Sequence, residues 1–224
     1  MSGTPPQPIS PGPTLPPGLP AQAYAAQRDW PGYFDAVAGK PPRDTLLLAL
    51  ERFDREPASR GGRLALDLGC GEGRDTAELL RRGWHVLAID GHPDALRRLL
   101  ERLDLPHRDR LRTLLAPFEG LGVPACDLVN ASFSLPFCPP HAFGTLWSAI
   151  VDAIRPGGRF AGQLFGDRDT WALLPDRSHQ TREQALAMLD PFDLERFDED
   201  EKPGSDAFGT PKHWHVFHVV ARKR

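Results

Sequence analysis

Two rhythms of apolar and polar positions alternate along this chain. Short apolar runs open at Leu64 and recur at His85 to Asp90, Leu111 to Ala116, Cys126 to Ser132 and Arg159 to Phe165. Their length and their bounding turn residues predict strands. Val86, Leu87, Ala88 and Ile89 form an unbroken apolar run, the signature of a strand buried on both faces of a parallel sheet. Between these runs apolar residues recur at helical spacing. Thr45 to Arg55, capped by Asp44, brings Leu46, Leu47, Leu50 and Phe53 to one face, and Pro93 to Asp104 does the same with Leu96, Leu99, Leu100 and Leu103. Asp75 to Arg82 continues as helix and stops at Gly83, and a further helix spans about Pro140 to Ile154. Repeated strand, helix, strand units predict an α/β fold with a parallel sheet.

The two ends of the chain depart from this rhythm. Met1 to Pro20 holds eight prolines and three glycines and predicts a disordered tail. Ala21 to Asp35 suggests a short helix interrupted by Pro31-Gly32, and breaks follow at Lys40 to Arg43 and at Pro57 to Gly62. Near the other end, Thr181 with Gln184 forms a capping-box pattern for a helix ending near Asp190. Phe192 to Glu201 and His213 to Arg222 then read as extended segments without a helix between them, which predicts an antiparallel pair.

Composition narrows the class of ligand. With 27 basic against 30 acidic residues in 224, a net charge of −3 leaves no electrostatic footprint for nucleic acid. No apolar run is long enough for a membrane span, no export signal is apparent, and three cysteines (Cys70, Cys126, Cys138) lack metal-ligand spacing. A cytoplasmic protein with a small-molecule ligand, no membrane or nucleic-acid partner and no metal is expected. His213 and His215 share a predicted strand face, yet no third ligand lies nearby.

The stretch Leu64 to Arg74, Leu-Ala-Leu-Asp-Leu-Gly-Cys-Gly-Glu-Gly-Arg, concentrates the chemistry. A strand ends in Asp67, and Gly69, Gly71 and Gly73 form a tight turn into a helix. Arg74 occupies the place of the third glycine in a dinucleotide fingerprint, and no lysine supports a P-loop. Asp67 would repel a diphosphate but suits an amino group, while the following helix N-terminus suits a carboxylate. Asp90, ending the next strand, can accept both hydroxyl hydrogens of a ribose. An amino-acid moiety linked to a nucleoside meets that description.

Asp67-Leu68-Gly69-Cys70-Gly71-Glu72-Gly73-Arg74-Asp75, followed by Ile89-Asp90, resembles the class I S-adenosylmethionine-dependent methyltransferases, most closely the branch containing tellurite-resistance methyltransferases. Arg155-Pro156-Gly157-Gly158 is similar to that family's turn before the fifth strand. The resemblance implies a Rossmann-like seven-stranded sheet, mostly parallel with only the last strand reversed, and helices on both faces. It implies a single domain over 21–224, with a helical lid at 21–60 and the core at 61–224. S-adenosylmethionine would lie against Asp67, Gly69, Cys70, Gly71, Gly73 and Arg74, with Asp90 on the ribose and Gly91 and His92 near the adenine. Pro117 stands where the family usually has an acidic residue, so adenine would rely on Phe118. Asn130 to Phe133 would border the reactive methyl, and Arg43 would pair with the methionine carboxylate.

Methyl transfer from a sulfonium requires alignment rather than an enzymic nucleophile, and no catalytic residue is assigned. His141, His179, His213 and His215 are candidate bases, and Ser132 to Phe137 with Gln163 to Asp169 are candidate acceptor contacts, to which Trp171 and Trp214 could add stacking. The alternative is a non-catalytic S-adenosylmethionine-binding module acting through a partner. The acceptor and the oligomeric state are unassigned.

Overall fold

In the computed structural model, residues 28–57 and 61–224 are described. The Pro-rich segment, residues 21–27 of the first expected helix and part of the Pro57 to Gly62 break lie outside the described residues. The first described helix, α1 (Trp30–Val37), contains Pro31 and Gly32 rather than being broken by them. Proline lacks only an N–H that the first helical turn has no use for, and the Asp29 side chain accepts from the Gly32 N–H at 2.9 Å. α2 (Asp44–Asp54) buries Leu46, Ala49, Leu50 and Phe53.

Five further helices and strands follow in alternation: β1 (Leu64–Leu68), α3 (Arg74–Arg81), β2 (His85–Asp90), α4 (Pro93–Glu101) and β3 (Leu111–Leu115). Then come β4 (Cys126–Ala131), α5 (Pro140–Ala153), β5 (Ile154–Phe165), α6 (Arg182–Met188), β6 (Phe192–Ser205) and β7 (Pro211–Lys223). Helix α4 stops before the expected Asp104, which leaves Leu103 99% exposed rather than in the core. The expected turn at Arg155 to Gly158 is instead the irregular start of β5, where pairing jumps from Cys126 with Ile154 to Leu128 with Arg159. The capping box on α6 forms, with both of its reciprocal hydrogen bonds.

Among the described residues the seven strands make one sheet in the order β3-β2-β1-β4-β5-β7-β6. β1 to β5 pair in parallel, and β7 alone runs against both of its neighbours. Successive residues of the central strands enter opposite cores. Ala65, Leu128, Ala161 and Val220 pack with α2, α3 and α4 on one face, while Leu66, Val129, Phe160 and Val219 pack with α5 and α6 on the other. Because strand order reverses between β1 and β4, their carboxyl ends open the crevice where such sheets bind ligands.

Candidate functional site

The turn after β1 is drawn against the end of β2: the N–H groups of Gly69 and Cys70 both donate to the Ile89 carbonyl, at 2.8 and 3.1 Å. Gly69 has φ +69°, and a Cβ there would collide with Ser134, whose hydroxyl donates to the Leu68 carbonyl at 2.5 Å. Only glycine meets both conditions. Asp90 closes the turn from the side. Its Oδ2 accepts from the Gly71 N–H at 2.9 Å and its Oδ1 from the His92 N–H at 2.8 Å, while burial raises its pKa. Each oxygen keeps a lone pair for another donor. The His92 ring is partly committed, since Nδ1 caps α4 by accepting from the Asp94 N–H at 3.2 Å.

These groups border a cleft of about 270 Å³. Gly69, Gly71, Asp90, Gly91 and His92 form one side, and Pro117, Phe118 and Glu119 from the loop after β3 form another. Phe34 of α1 lines it as well, 6.0 Å from the His92 ring and in contact distance of where a Gly71 side chain would sit. Glu119 attracts no notice in the sequence, because the loop that carries it has no motif.

The other expected site residues lie under or beside the cleft. Asp67 is 2% exposed, accepting from the Thr76 hydroxyl at 2.5 Å and from Asn130 Nδ2 at 2.9 Å. Asn130 also donates to Asp75 at 3.1 Å, so one amide spans two buried carboxylates. Burial, with Asp75 second, pushes the Asp67 pKa up to about 7. Burial likewise raises the Cys70 thiol well above its ordinary value, and Cys126 and Cys138 to about 12 and 11. Gly73 has φ +86° and packs so closely on Leu99 of α4 that a Cβ would collide with it. Arg74 opens α3 and lines neither cavity described here.

Arg43 belongs to a second cavity, of about 640 Å³, which abuts the first. Both are walled by Arg28, Trp30, Tyr33, Phe133 and Phe137. Phe133 has φ +54°, a left-handed conformation that is uncommon for a bulky residue. Its N–H donates to Gln163 Oε1 at 3.0 Å, and the fully buried Gln163 donates in turn to Thr45 Oγ1 at 3.0 Å. The Phe133 ring therefore stands between the cavities, with Phe165 and Trp214 edge-on at 6.4 and 6.2 Å. Trp171 and Trp214 complete an aromatic wall, their rings 5.8 Å apart.

None of His141, His179, His213 and His215 lines either cavity. His218, which the sequence does not single out, lines the larger one, and burial lowers its pKa. His213 and His215 face Glu201 and Glu199 at 3.0 and 2.9 Å. Glu199, Glu201 and His215 bring potential ligand atoms within 4.8 Å of one another, but Arg168 bridges both glutamates at 2.8 and 2.7 Å. A cation already occupies the centre of that group.

Residues 65–158, running from β1 through the glycine turn into the start of β5, match a family model described as a methyltransferase domain. That stretch is similar to methyltransferase domains, and the seven-stranded sheet has the fold of the class I methyltransferases. An uncharacterized methyltransferase of Synechocystis sp. is 32% identical over 117 residues, covering 50% of this chain and 53% of the relative. The chain thus spans about half the length of that relative. Among solved structures, TehB from Haemophilus influenzae superposes with a TM-score of 0.66 at 16% identity, covering 81% of this chain and 62% of its own. The 1,6-didemethyltoxoflavin-N1-methyltransferase of Burkholderia thailandensis, solved with 1,6-didemethyltoxoflavin and S-adenosylhomocysteine, superposes at 0.62 with 24% identity and covers 94% and 93%. The methyltransferase fold therefore extends past the matched domain to the C-terminal strand pair. Among the described residues no helix is long and apolar enough to cross a membrane.

Proposed function

We propose that the protein binds S-adenosylmethionine in the smaller cleft and catalyses transfer of its methyl group to a small-molecule acceptor held in the larger cavity. The observation that carries this reading is the abutment of two cavities of different character at Tyr33 and Phe133, beside the carboxyl ends of β1 and β4. The residues present fit the donor. Asp90 retains acceptor capacity for ribose hydroxyls, the Gly69 to Gly71 backbone permits close approach, and the Glu119 carboxylate can accept from an adenine amino group. The Burkholderia methyltransferase, which holds both S-adenosylhomocysteine and its small molecule, supports the same division of labour.

Bound there, S-adenosylmethionine supplies a methyl carbon already activated by a positive sulfur. The chain's own work is then alignment and exclusion of water, achieved by rings at the junction rather than by a nucleophile. The buried, high-pKa cysteines fit that reading, since none lines either cavity. Asp67 and Asn130 act beneath the cleft, holding the strand ends on which the turn rests.

Isothermal titration with S-adenosylmethionine tests the donor site directly. Wild type binds, and Asp90→Ala weakens binding by about 10- to 100-fold through loss of charge-assisted hydrogen bonds. Absence of binding by wild type overturns the reading. Formation of S-adenosylhomocysteine across an acceptor panel distinguishes a catalyst from a protein that only binds the donor.

A further inference from the structure

The larger cavity joins an aromatic wall to a cation that lacks a carboxylate partner, and no neighbouring protein assigns it a ligand in this chain. Its volume of about 640 Å³ lies within the range that accommodates drug-sized molecules and is far more than a metalloid oxyanion needs. Phe137, Phe165, Trp171 and Trp214 pack on one another at 5.8 to 6.4 Å between centroids, tilted or edge-on, and so present both faces and edges to the space. Such walls favour a flat aromatic occupant.

The charge of that occupant follows from Arg43. Lys212 is buried and ion-paired with Asp169, and its ammonium lies 4.3 and 4.2 Å from the Trp171 and Trp214 ring centres. Lys212 does not itself line the cavity, so it holds the aromatic wall from behind. Arg43, in contrast, stacks on Phe133 at 4.3 Å and hydrogen-bonds the Tyr33 side chain, while its buried Nε has no hydrogen-bond partner. Among the described residues no carboxylate lies within ion-pair reach of its guanidinium. Burial, then the like charge of Arg74, disfavours its charged form, Tyr33 and Asp75 offset this only in part, and an arriving anion would compensate the rest. The paired cations differ: Arg28 is bound to Asp176 and Lys202 to Asp200.

We infer that the larger cavity binds a planar aromatic molecule bearing an anionic substituent, which Arg43 receives beside Phe133 while Trp171 and Trp214 hold the ring. This rests on the reading of that cavity as the acceptor site. It goes further in naming the shape and charge of the ligand.

Binding of 2-naphthoate, 2-naphthamide and 2-naphthylmethylammonium to the full chain, measured by isothermal titration with and without S-adenosylhomocysteine, tests the inference. Naphthoate is expected to bind about tenfold more tightly than the amide, with the ammonium weakest. With S-adenosylhomocysteine already bound, Arg43→Met is expected to abolish the difference between naphthoate and amide. Equal binding of the three probes, or preference for the ammonium, overturns it. So does an Arg43→Met variant that loses S-adenosylhomocysteine affinity but keeps the naphthoate preference. Should that variant fail to fold, the wild-type ranking alone decides. Failure of wild type to bind S-adenosylhomocysteine while naphthoate is still preferred instead removes the donor reading and leaves the cavity's ligand class standing.

Discussion

Asp67, one residue before the end of β1, has donors on both of its oxygens and a second carboxylate, Asp75, sharing the Asn130 amide. Burial and that neighbour raise its pKa to about 7, against an ordinary value near 3.9. A carboxyl whose folded pKa is raised stabilises the fold fully below its unfolded pKa, and that contribution is lost as pH climbs through the folded value. Between about pH 4 and 7, therefore, the wild-type Tm is expected to fall relative to that of Asp67→Asn, which cannot titrate. Parallel Tm-against-pH curves for the two proteins would contradict the assignment. Asp90 behaves differently in kind: its partners are backbone N–H groups, and its removal is expected to be read in ligand affinity. Both aspartates are recognisable from their places at strand ends in the sequence. Which of them reaches the cleft depends on Thr76 and Asn130, contributed by a helix and a strand 9 and 63 residues from Asp67.

At the scale of elements, the loop after β4 is set by β5. Gln163 holds the Phe133 N–H with its carbonyl and reaches Thr45 of α2 with its amide, so one buried side chain ties three elements to the junction of the cavities. A left-handed conformation at a non-glycine residue costs about 1–3 kcal/mol and persists only where its surroundings impose it. Gln163→Leu leaves the buried Thr45 hydroxyl and the half-buried Phe133 N–H without these partners, and a loss of about 1–3 kcal/mol in urea unfolding is expected. The same variant should lower the rate of S-adenosylhomocysteine formation more than it lowers donor affinity, because Phe133 borders the junction rather than the floor of the cleft. A proportionate fall in both would assign Gln163 a purely structural part. Helix limits show a related dependence. Pro31 is compatible with α1 because it falls in the first turn, whereas the periodic leucines after Pro93 continue past the point where α4 stops, leaving Leu103 in solvent.

Over the whole molecule, the strand pair β6 and β7 completes the larger cavity and is fastened to the sheet from within. Lys212 of β7 pairs with Asp169, which also accepts from the Trp171 and His215 N–H groups at 2.8 and 3.1 Å. Removing one member of a buried pair leaves the other uncompensated, at a cost of about 3–5 kcal/mol. Lys212→Met is expected to lose stability in that range in urea unfolding, and Lys212→Met with Asp169→Asn to lose less than the single change. A double variant as unstable as the single one would show that the ion pair is not what fastens the hairpin. The sheet, its mostly parallel order and the glycine turn were determined by the sequence alone, because strand periodicity, helix caps and positive-φ turns arise from residues close together in the chain. Tertiary structure decided what the turn faces and what stands beside it. Arg43, Phe133, Trp171 and Trp214 come from four separate segments, and no local pattern encodes that they share a cavity. Their association follows from the strand order and from long-range packing, although the reversal of β7 is already implied by the family resemblance.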